Sequence, residues 1–309
     1  MKYFNEFDTF KKVALDENLK IFKNTFFPWD GDYERLENVK LGDSLTYLGV
    51  DSTTLIETLN DLKDRLINDQ NFEQIVDGYL PLYIFNISKD AKTIIVIPGG
   101  GYEKECYLNE GFMVSHTLNK LGYNAIVISY RVSKDAKYPN PFIDATASIK
   151  YLFNNKDKLN LNLDNYALMG FSAGGHLAAS IVSEKQNLDF IKPHTLILGY
   201  PVISLEKYTH LGTCKNLLQE EIDNIELRKK YSINNLVTKN YPNTYLWQCD
   251  NDNCVPFENS IILAKTLNEF NIPYEFKIYH SEIHGLGIGI NTVCDKWILD
   301  ALNFYQKGL

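Results

Sequence analysis

The middle of the chain reads Tyr166-Ala167-Leu168-Met169-Gly170-Phe171-Ser172-Ala173-Gly174-Gly175-His176. The apolar residues before Gly170 predict a buried strand, and the small and apolar residues after Ser172 predict a helix. A serine at such a sharp strand-to-helix turn is held in a strained conformation with its hydroxyl exposed, and glycines two positions away on either side let neighbouring backbones approach it. The helix N-terminus also favours negative charge there. The pattern therefore indicates that Ser172 is a nucleophile rather than a structural serine in a tight turn.

On both sides of this turn, short runs rich in β-branched and aromatic residues alternate with helical patterns from about residue 82 onward. This alternation is typical of an α/β fold, a mostly parallel, doubly wound sheet with helices on both faces. Several runs are continuously apolar, as expected for strands that are buried on both faces. The predicted strands span residues 82–88, 93–97, 125–130, 166–169, 195–200, 244–249 and 274–279.

Two loops that follow predicted strands supply the partners that a nucleophilic serine needs. A base must take the serine proton, and a carboxylate commonly orients that base. The first loop contains Asp250 and Asp252, and the second contains His280 and His284. His284 is the preferred base because the glycine after it lets the loop aim the ring, whereas His280 is interpreted as a half-buried packing residue. Asp252 is the preferred acid because it lies deeper in its loop, and Asp250 would then cap a turn.

A second glycine-rich segment, Pro98-Gly99-Gly100-Gly101-Tyr102, follows the predicted strand at 93–97. Backbone N–H groups stabilise the negatively charged oxygen of a tetrahedral intermediate, and bare amides at Gly100 and Gly101 could do so together with that of Ala173. The alternative is a phosphate-binding loop, but the Lys and Ser/Thr of a P-loop do not follow and GxGxxG is absent. The segment is therefore interpreted as an oxyanion hole, and no cofactor or metal is expected.

The composition limits the classes of protein to which the chain can belong. It has 309 residues, 45% hydrophobic and 23% charged, which is typical of a folded soluble protein. The net charge of −8 argues against a nucleic acid as partner. There is no 18-residue apolar run and no signal-peptide pattern, so we expect no membrane association and a cytoplasmic location. The five cysteines contain no CxxC pair, which favours buried free thiols over disulfides or a zinc site.

Residues 1–80 differ from the rest, because they are polar and aromatic with few strand signals. The stretch from Thr54 to Glu57 resembles a capping box that opens a helix. We expect this segment to be an N-terminal extension packed on a catalytic domain at 81–309, either over the active site or at a subunit contact of a homo-oligomer. Within the catalytic domain, residues 203–243 are expected to form a small cap whose Tyr208, His210, Leu211, Leu217 and Leu218 either line a pocket or form a packing stripe.

Taken together, these motifs resemble the α/β-hydrolases, and specifically the bacterial carbohydrate acetyl esterases and acetyl xylan esterase-like hydrolases. The similarity spans about residues 92–300. Besides the two glycine-rich motifs, it rests on Tyr130-Arg131-Val132, Tyr200-Pro201-Val202-Ile203 and His284-Gly285-Leu286-Gly287. The chain departs from the family at 248–252, where it has Gln-Cys-Asp-Asn-Asp in place of His-Thr-Ala-Asp-Asp, so the pocket wall is expected to differ there.

The resemblance implies an α/β-hydrolase fold, a catalytic triad of Ser172, Asp252 and His284, and ester-linked acyl groups on sugars as substrates. Tyr102 and His210 are candidates for contacts with the substrate. We therefore expect a serine esterase that hydrolyses short acyl esters, mainly acetyl esters, of a sugar or oligosaccharide without a cofactor. Two alternatives stay open at this point. One is an amidase, peptidase or formamidase of the same fold, and the other is a non-catalytic binding protein, against which the intact triad argues.

Overall fold

One eight-stranded sheet organises the part of the chain that the computed structural model describes, residues 3–183 and 192–308. The strands in chain order are β1 Glu73–Val76, β2 Leu80–Phe85, β3 Lys92–Ile97, β4 Asn124–Ile128, β5 Asn162–Phe171, β6 Thr195–Gly199, β7 Asn243–Cys249 and β8 Tyr274–Tyr279. Their spatial order is β1-β2-β4-β3-β5-β6-β7-β8. Strand β2 pairs in antiparallel fashion with β1 on one side and with β4 on the other. The five remaining pairings along the sheet, from β4 through β3, β5, β6 and β7 to β8, are parallel.

This topology confirms the predicted α/β fold and all seven predicted strands, with bounds that shift by a few residues. Strand β3 shows why the central strands read as continuous apolar runs: Ile94 and Val96 pack into the core on one face, whereas Ile95 and Ile97 pack into the core on the other. Strand β1 was not predicted. It lies at one edge of the sheet, and only its last residue is fully buried, so it lacks an apolar pattern. The sheet therefore begins within the segment 1–80.

Helices cover both faces of the sheet. The α-helices are α1 Phe10–Ala14, α2 Lys23–Phe26, α3 Asp32–Leu36, α4 Ser44–Leu48, α5 Ser52–Asn68, α6 Met113–Lys120, α7 Asn140–Asn155, α8 Ser172–Ile181, α9 Leu211–Leu218, α10 Ile225–Tyr231, α11 Glu258–Glu269 and α12 Trp297–Lys307. A π-helical turn, Tyr107–Phe112, leads into α6. Buried residues of α5, α6 and α12 pack on one face, and those of α7, α8 and α11 pack on the other. None of the helices in the described part of the chain has both the length and the apolar character needed to cross a bilayer.

The N-terminal segment packs on the same face as α6 through aromatic side chains. The ring of Phe22 lies 5.2 Å from that of Tyr83 on β2 and 5.0 Å from that of Phe112, measured between centroids. Helix α5 lies against α6 and buries Leu55, Leu59 and Leu62 completely. These contacts join the segment to the sheet through one continuous core, which places the loops of the segment relative to the sheet.

The start of α5 differs from the prediction. Asp51, rather than Thr54, is the N-cap, because the Asp51 carboxylate accepts a hydrogen bond from the Thr54 backbone N–H at 2.8 Å. The helix therefore begins at Ser52, and Thr54 lies inside it. The capping-box pattern therefore placed the start of the helix about one turn C-terminal to its actual start.

Candidate active site

Ser172 lies where β5 ends and α8 begins, in the left-handed backbone conformation with φ of +51°. Its neighbours must be glycines. A Cβ on Gly170 would lie 2.5 Å from the carbonyl oxygen of Gly174, and a Cβ on Gly174 would lie 2.2 Å from the carbonyl oxygen of Pro98. No other residue fits such approaches without moving backbone. The strained serine predicted from the sequence is thus present, and its turn packs directly against the glycine loop after β3.

The structure brings Ser172, His284 and Asp252 together in one hydrogen-bonded line. His284 Nε2 lies 2.9 Å from Ser172 Oγ, and His284 Nδ1 lies 2.7 Å from Asp252 Oδ2. An ionised carboxylate only accepts hydrogen bonds, so the Nδ1 atom carries the proton toward Asp252. The Nε2 lone pair then faces the serine hydroxyl. This is the arrangement in which an imidazole can take the serine proton.

Asp252 is held in its ionised form by its surroundings. Its Oδ1 atom accepts hydrogen bonds from the backbone N–H groups of Cys254 and Val255, both at 2.9 Å. Burial alone would raise the pKa of Asp252, but the hydrogen bond and charge of His284, together with these two amides, lower the pKa below its ordinary value. Gln248 Nε2 also lies 3.2 Å from Oδ2. The carboxylate is therefore oriented from both sides.

Asp250 and His280, the other candidates in the two loops, form a separate pair. His280 Nδ1 lies 3.0 Å from Asp250 Oδ2, and the His280 side chain is 84% exposed. The sequence interpretation of His280 as a half-buried packing residue is therefore wrong, because β8 is an edge strand and its end faces solvent. Asp250 pairs with this exposed ring rather than with His284, so the structure favours Asp252 as the acid.

The glycine loop lies beside the nucleophile. A Cβ on Gly99 would lie 2.8 Å from the Cβ of Ser172, so the two backbones are in direct contact. Gly100 and Gly101 line the same cavity as Ser172 and have φ of +123° and +66°, in the region that favours glycine. Ala173 is in the first turn of α8, where a backbone N–H has no partner within the helix. These positions fit the predicted oxyanion hole, although the side chain of Ala173 is fully buried.

A buried carboxyl that sequence reasoning missed connects these loops. Glu110 is only 3% exposed, and it accepts hydrogen bonds from Gly99 N–H at 2.7 Å and from the Tyr200 hydroxyl at 2.9 Å. The Tyr200 oxygen in turn accepts the Gly287 N–H at 2.9 Å, and the Tyr200 ring lies 4.7 Å from the ring of His284. Burial raises the pKa of Glu110. The only sequence signal was an acid within an otherwise apolar stretch.

Ser172 and His284 open into a cavity of about 540 Å³. Three parts of the chain contribute to its wall besides the triad and the glycine loop. They are the N-terminal segment, the stretch from Glu103 to the turn before α6, and the region around α9, with lining residues Phe26, Pro28, Trp29, Asp32, Glu103, Cys106, Leu108, Asn109, Glu110, His210, Gly212 and Asn216. The loops that carry Asp252 and His284 add Cys254 and Gly285. Cys106 is half-buried and Cys254 is exposed, so the expectation of five buried thiols is wrong for these two. Among the described residues, no three His, Cys, Asp or Glu side chains are grouped as metal ligands would be.

Of the two candidates for substrate contact, only His210 lines the cavity. His210 is the N-cap of α9, and its Nδ1 atom lies 2.8 Å from Thr213 Oγ1. Burial, and then the charge of His284, lower the pKa of His210. Of the other cap residues, Leu217 and Leu218 are buried in the core as a packing stripe, while Tyr208 and Leu211 are exposed outside the cavity wall.

The prediction for Tyr102 is wrong because its side chain turns away from the cavity. It is 1% exposed, and its hydroxyl lies 2.9 Å from Nδ1 of His176. The Nε2 atom of His176 lies 2.9 Å from the carbonyl oxygen of Tyr231, which can only accept, so Nε2 carries the proton and Nδ1 accepts from Tyr102. Burial lowers the pKa of His176 to about 4. Tyr102 and His176 therefore form a buried structural pair.

Three comparisons with known proteins agree with this architecture. The family model BD-FAE matches residues 77–267. Endo-1,4-beta-xylanase B of Butyrivibrio fibrisolvens is 30% identical over 245 residues, covering 74% of this chain and 38% of the relative. Acetylxylan esterase of Xylanibacter ruminicola is 31% identical over 222 residues, covering 71% of this chain and 46% of the relative. The chain thus spans less than half the length of both curated relatives.

A solved structure extends the similarity to three dimensions. The acetyl ester-xyloside bifunctional hydrolase from Caldicellulosiruptor lactoaceticus is 34% identical, with a TM-score of 0.67, and the match covers 78% of this chain and 94% of that one. This confirms the α/β-hydrolase fold. The BD-FAE match includes Ser172 and Asp252, whereas the N-terminal wall of the cavity, Phe26 to Asp32, lies outside it.

We predict that Asp252→Asn lowers kcat toward a short ester far more than Asp250→Asn does. An amide at 252 would favour the wrong imidazole tautomer, and the corresponding change in a serine protease triad lowers kcat by roughly 10⁴. Asp250 only pairs with the exposed His280, so its variant is the matched control and changes kcat little. Steady-state kinetics with both variants measures the ranking. The reverse ranking would assign the acid to Asp250.

We also predict that His176 makes the fold less stable in acid. Its pKa is lower in the folded chain than its ordinary 6.5, so the unfolded chain binds more protons and stability falls as the pH drops from 6.5 toward 4. The loss from this group reaches about 3 kcal/mol. Urea unfolding of wild type and His176→Gln across this range isolates it, because the other acids titrate in both proteins. If the free energy of unfolding fell equally steeply with decreasing pH in the two proteins, the prediction would be contradicted.

Proposed function

The chain belongs to the BD-FAE family, and we propose that it is a serine esterase that removes short acyl groups, above all acetyl groups, from a sugar or oligosaccharide. The single observation that carries the proposal is the hydrogen-bonded line from Ser172 through His284 to Asp252 at the mouth of a cavity. A contact that served only the fold would not need a serine in a strained conformation or a buried carboxylate, because both cost free energy.

The geometry supports a two-step acyl transfer. His284 Nε2 takes the proton of Ser172 while Oγ attacks the acyl carbon, and the resulting oxyanion is stabilised by amides at Gly100, Gly101 and Ala173. The protonated imidazole then gives its proton to the leaving alcohol, which leaves an acyl group on the serine. Water activated by the same imidazole attacks this acyl-enzyme and releases the acid. Asp252 stabilises the imidazolium in both steps without being protonated itself.

The substrate class is supported by two independent features. The relatives include an acetylxylan esterase, and the solved homologue is described as an acetyl ester-xyloside hydrolase. The cavity beside Ser172 mixes apolar side chains with the carboxylates of Asp32 and Glu103 and the amides of Asn109 and Asn216. Carboxylate and amide groups suit the hydroxyls of a sugar better than they suit a long acyl chain.

We predict that kcat/KM falls from acetyl and propionyl to octanoyl p-nitrophenyl esters. Each buried methylene stabilises binding by about 0.8 kcal/mol, so an open acyl tunnel would instead make kcat/KM rise with chain length. The same panel contains acetylated xylo-oligosaccharides and aminoacyl-nitroanilides, with Ser172→Ala as the background. Turnover of the acetylated sugars is expected, and turnover of the anilides is not. A steady rise toward octanoate, or faster cleavage of the anilides, would overturn the sugar-ester proposal.

A further inference from the structure

One wall of the active-site cavity comes from a part of the chain that lies outside the BD-FAE match. Phe26, Pro28, Trp29 and Asp32 lie on α2, on α3 and in the loop between them, and all four line the cavity that holds Ser172. The family match begins at residue 77. Whatever this wall recognises is therefore a property added to the catalytic domain by the N-terminal segment.

Trp29 is the exposed aromatic residue in this wall. The chain has three tryptophans, and the other two, Trp247 and Trp297, are completely buried and stacked on each other with centroids 5.1 Å apart. Trp29 differs from them because it is 45% exposed. A large aromatic surface left open beside a nucleophile contributes little to folding, and such surfaces commonly serve as ligand contacts.

The backbone of Trp29 is nevertheless held firmly. The Trp29 N–H donates to the Asp32 carboxylate at 3.3 Å, and the Asp32 N–H donates to the Trp29 carbonyl at 3.1 Å. Phe26 and Phe27 anchor the loop in the core, where the Phe27 ring lies 5.8 Å from that of Phe10. The indole is thus presented on a fixed loop, which reduces the entropy that a ligand must overcome on binding.

Trp29 also separates two hollows. Beyond the 540 Å³ cavity lies a second one of about 440 Å³, and Trp29 and Pro28 line both of them. The second hollow is mixed, with the polar side chains of Asn24, Thr25, Asp30 and Lys104 beside apolar ones such as Phe27 and Val132 in its wall. An acetyl group fills a small part of the first cavity, so the remaining space and the second hollow suit the alcohol part of the ester.

The geometry points to Trp29 as the platform on which the alcohol part of the substrate stacks, and to a neutral oligosaccharide as that alcohol. This inference rests on the proposed function and adds to it a specificity-determining residue and a second sugar subsite. The C–H face of a pyranose ring packs on an indole, and the carboxylates of Asp32 and Glu103 accept hydrogen bonds from its hydroxyls. The negative charge of Glu103 disfavours an acidic sugar, whereas that of Asp32 is partly balanced by Arg35, whose Nη2 atom lies 3.1 Å from Asp32 Oδ1. One unit lies beside Ser172 and the next continues past Trp29.

A binding experiment tests the platform without any turnover. In the Ser172→Ala protein, unmodified xylotetraose is expected to shift the tryptophan emission and to protect it from iodide quenching. The change reports on Trp29, because Trp247 and Trp297 are buried from the quencher. Xylose is expected to protect less than xylotetraose, because it cannot reach both hollows. Unchanged quenching at saturating xylotetraose, with binding verified by calorimetry, would overturn the inference.

A kinetic experiment tests the same residue in the active enzyme. We expect Trp29→Ala to lower kcat/KM for acetylated xylotetraose, relative to that for ethyl acetate, by about tenfold, mainly through KM. Trp29→Phe keeps an aromatic face and is expected to retain part of the ratio. Phe7→Ala is the matched control, because Phe7 is an exposed aromatic residue of the same segment that lines neither hollow.

The outcomes separate the two proposals. A wild-type protein that deacetylates the oligosaccharide, with a ratio unchanged by Trp29→Ala, would overturn the role of Trp29 and leave the esterase proposal intact. A wild-type protein that cleaves ethyl acetate but no acetylated sugar would overturn the proposed substrate, and the quenching experiment would then still decide whether Trp29 binds an oligosaccharide.

Discussion

The close contact of backbone around Ser172 is the constraint on which the site depends. A Cβ at Gly174 would lie 2.2 Å from the carbonyl oxygen of Pro98, and a Cβ at Gly99 would lie 2.8 Å from the Cβ of Ser172. The left-handed conformation of the serine costs on the order of 1–3 kcal/mol. Complete burial of α8, whose ten residues are all inside the core, offsets that cost. The same contact that strains the nucleophile therefore also places the oxyanion loop beside it.

Two longer-range connections turn this local arrangement into a working site. The buried Glu110 carboxyl holds the amide of Gly99 and the hydroxyl of Tyr200, which in turn holds the loop that carries His284. The aromatic core under the N-terminal segment fixes the loop of Trp29 at the opposite side of the cavity. Ser172 and Asp252 thus lie in the family region of the chain and His284 lies after it, whereas the far wall belongs to the segment before that region.

The sequence predicted what depends on local pattern, and it failed where the outcome depends on contacts far along the chain. The central strands were visible because burial on both faces demands apolar residues, and Ser172 and His284 were visible through the glycines beside them. Strand β1 is an exposed edge without that pattern. Tyr102 follows the glycine loop directly, yet its orientation is decided by His176, more than 70 positions away. No pattern near Trp29 indicated that its loop reaches the cavity.

The central claim is that Ser172 is a nucleophile activated by His284. Mass spectrometry of the protein after treatment with a fluorophosphonate tests this most directly, because the reagent forms a stable bond only with an activated serine. The account predicts one adduct per chain, mapped to the peptide that contains Ser172, with no adduct in a folded Ser172→Ala protein and a greatly slowed reaction in His284→Ala. An adduct at another serine, or equal labelling of the Ser172→Ala protein, would contradict it.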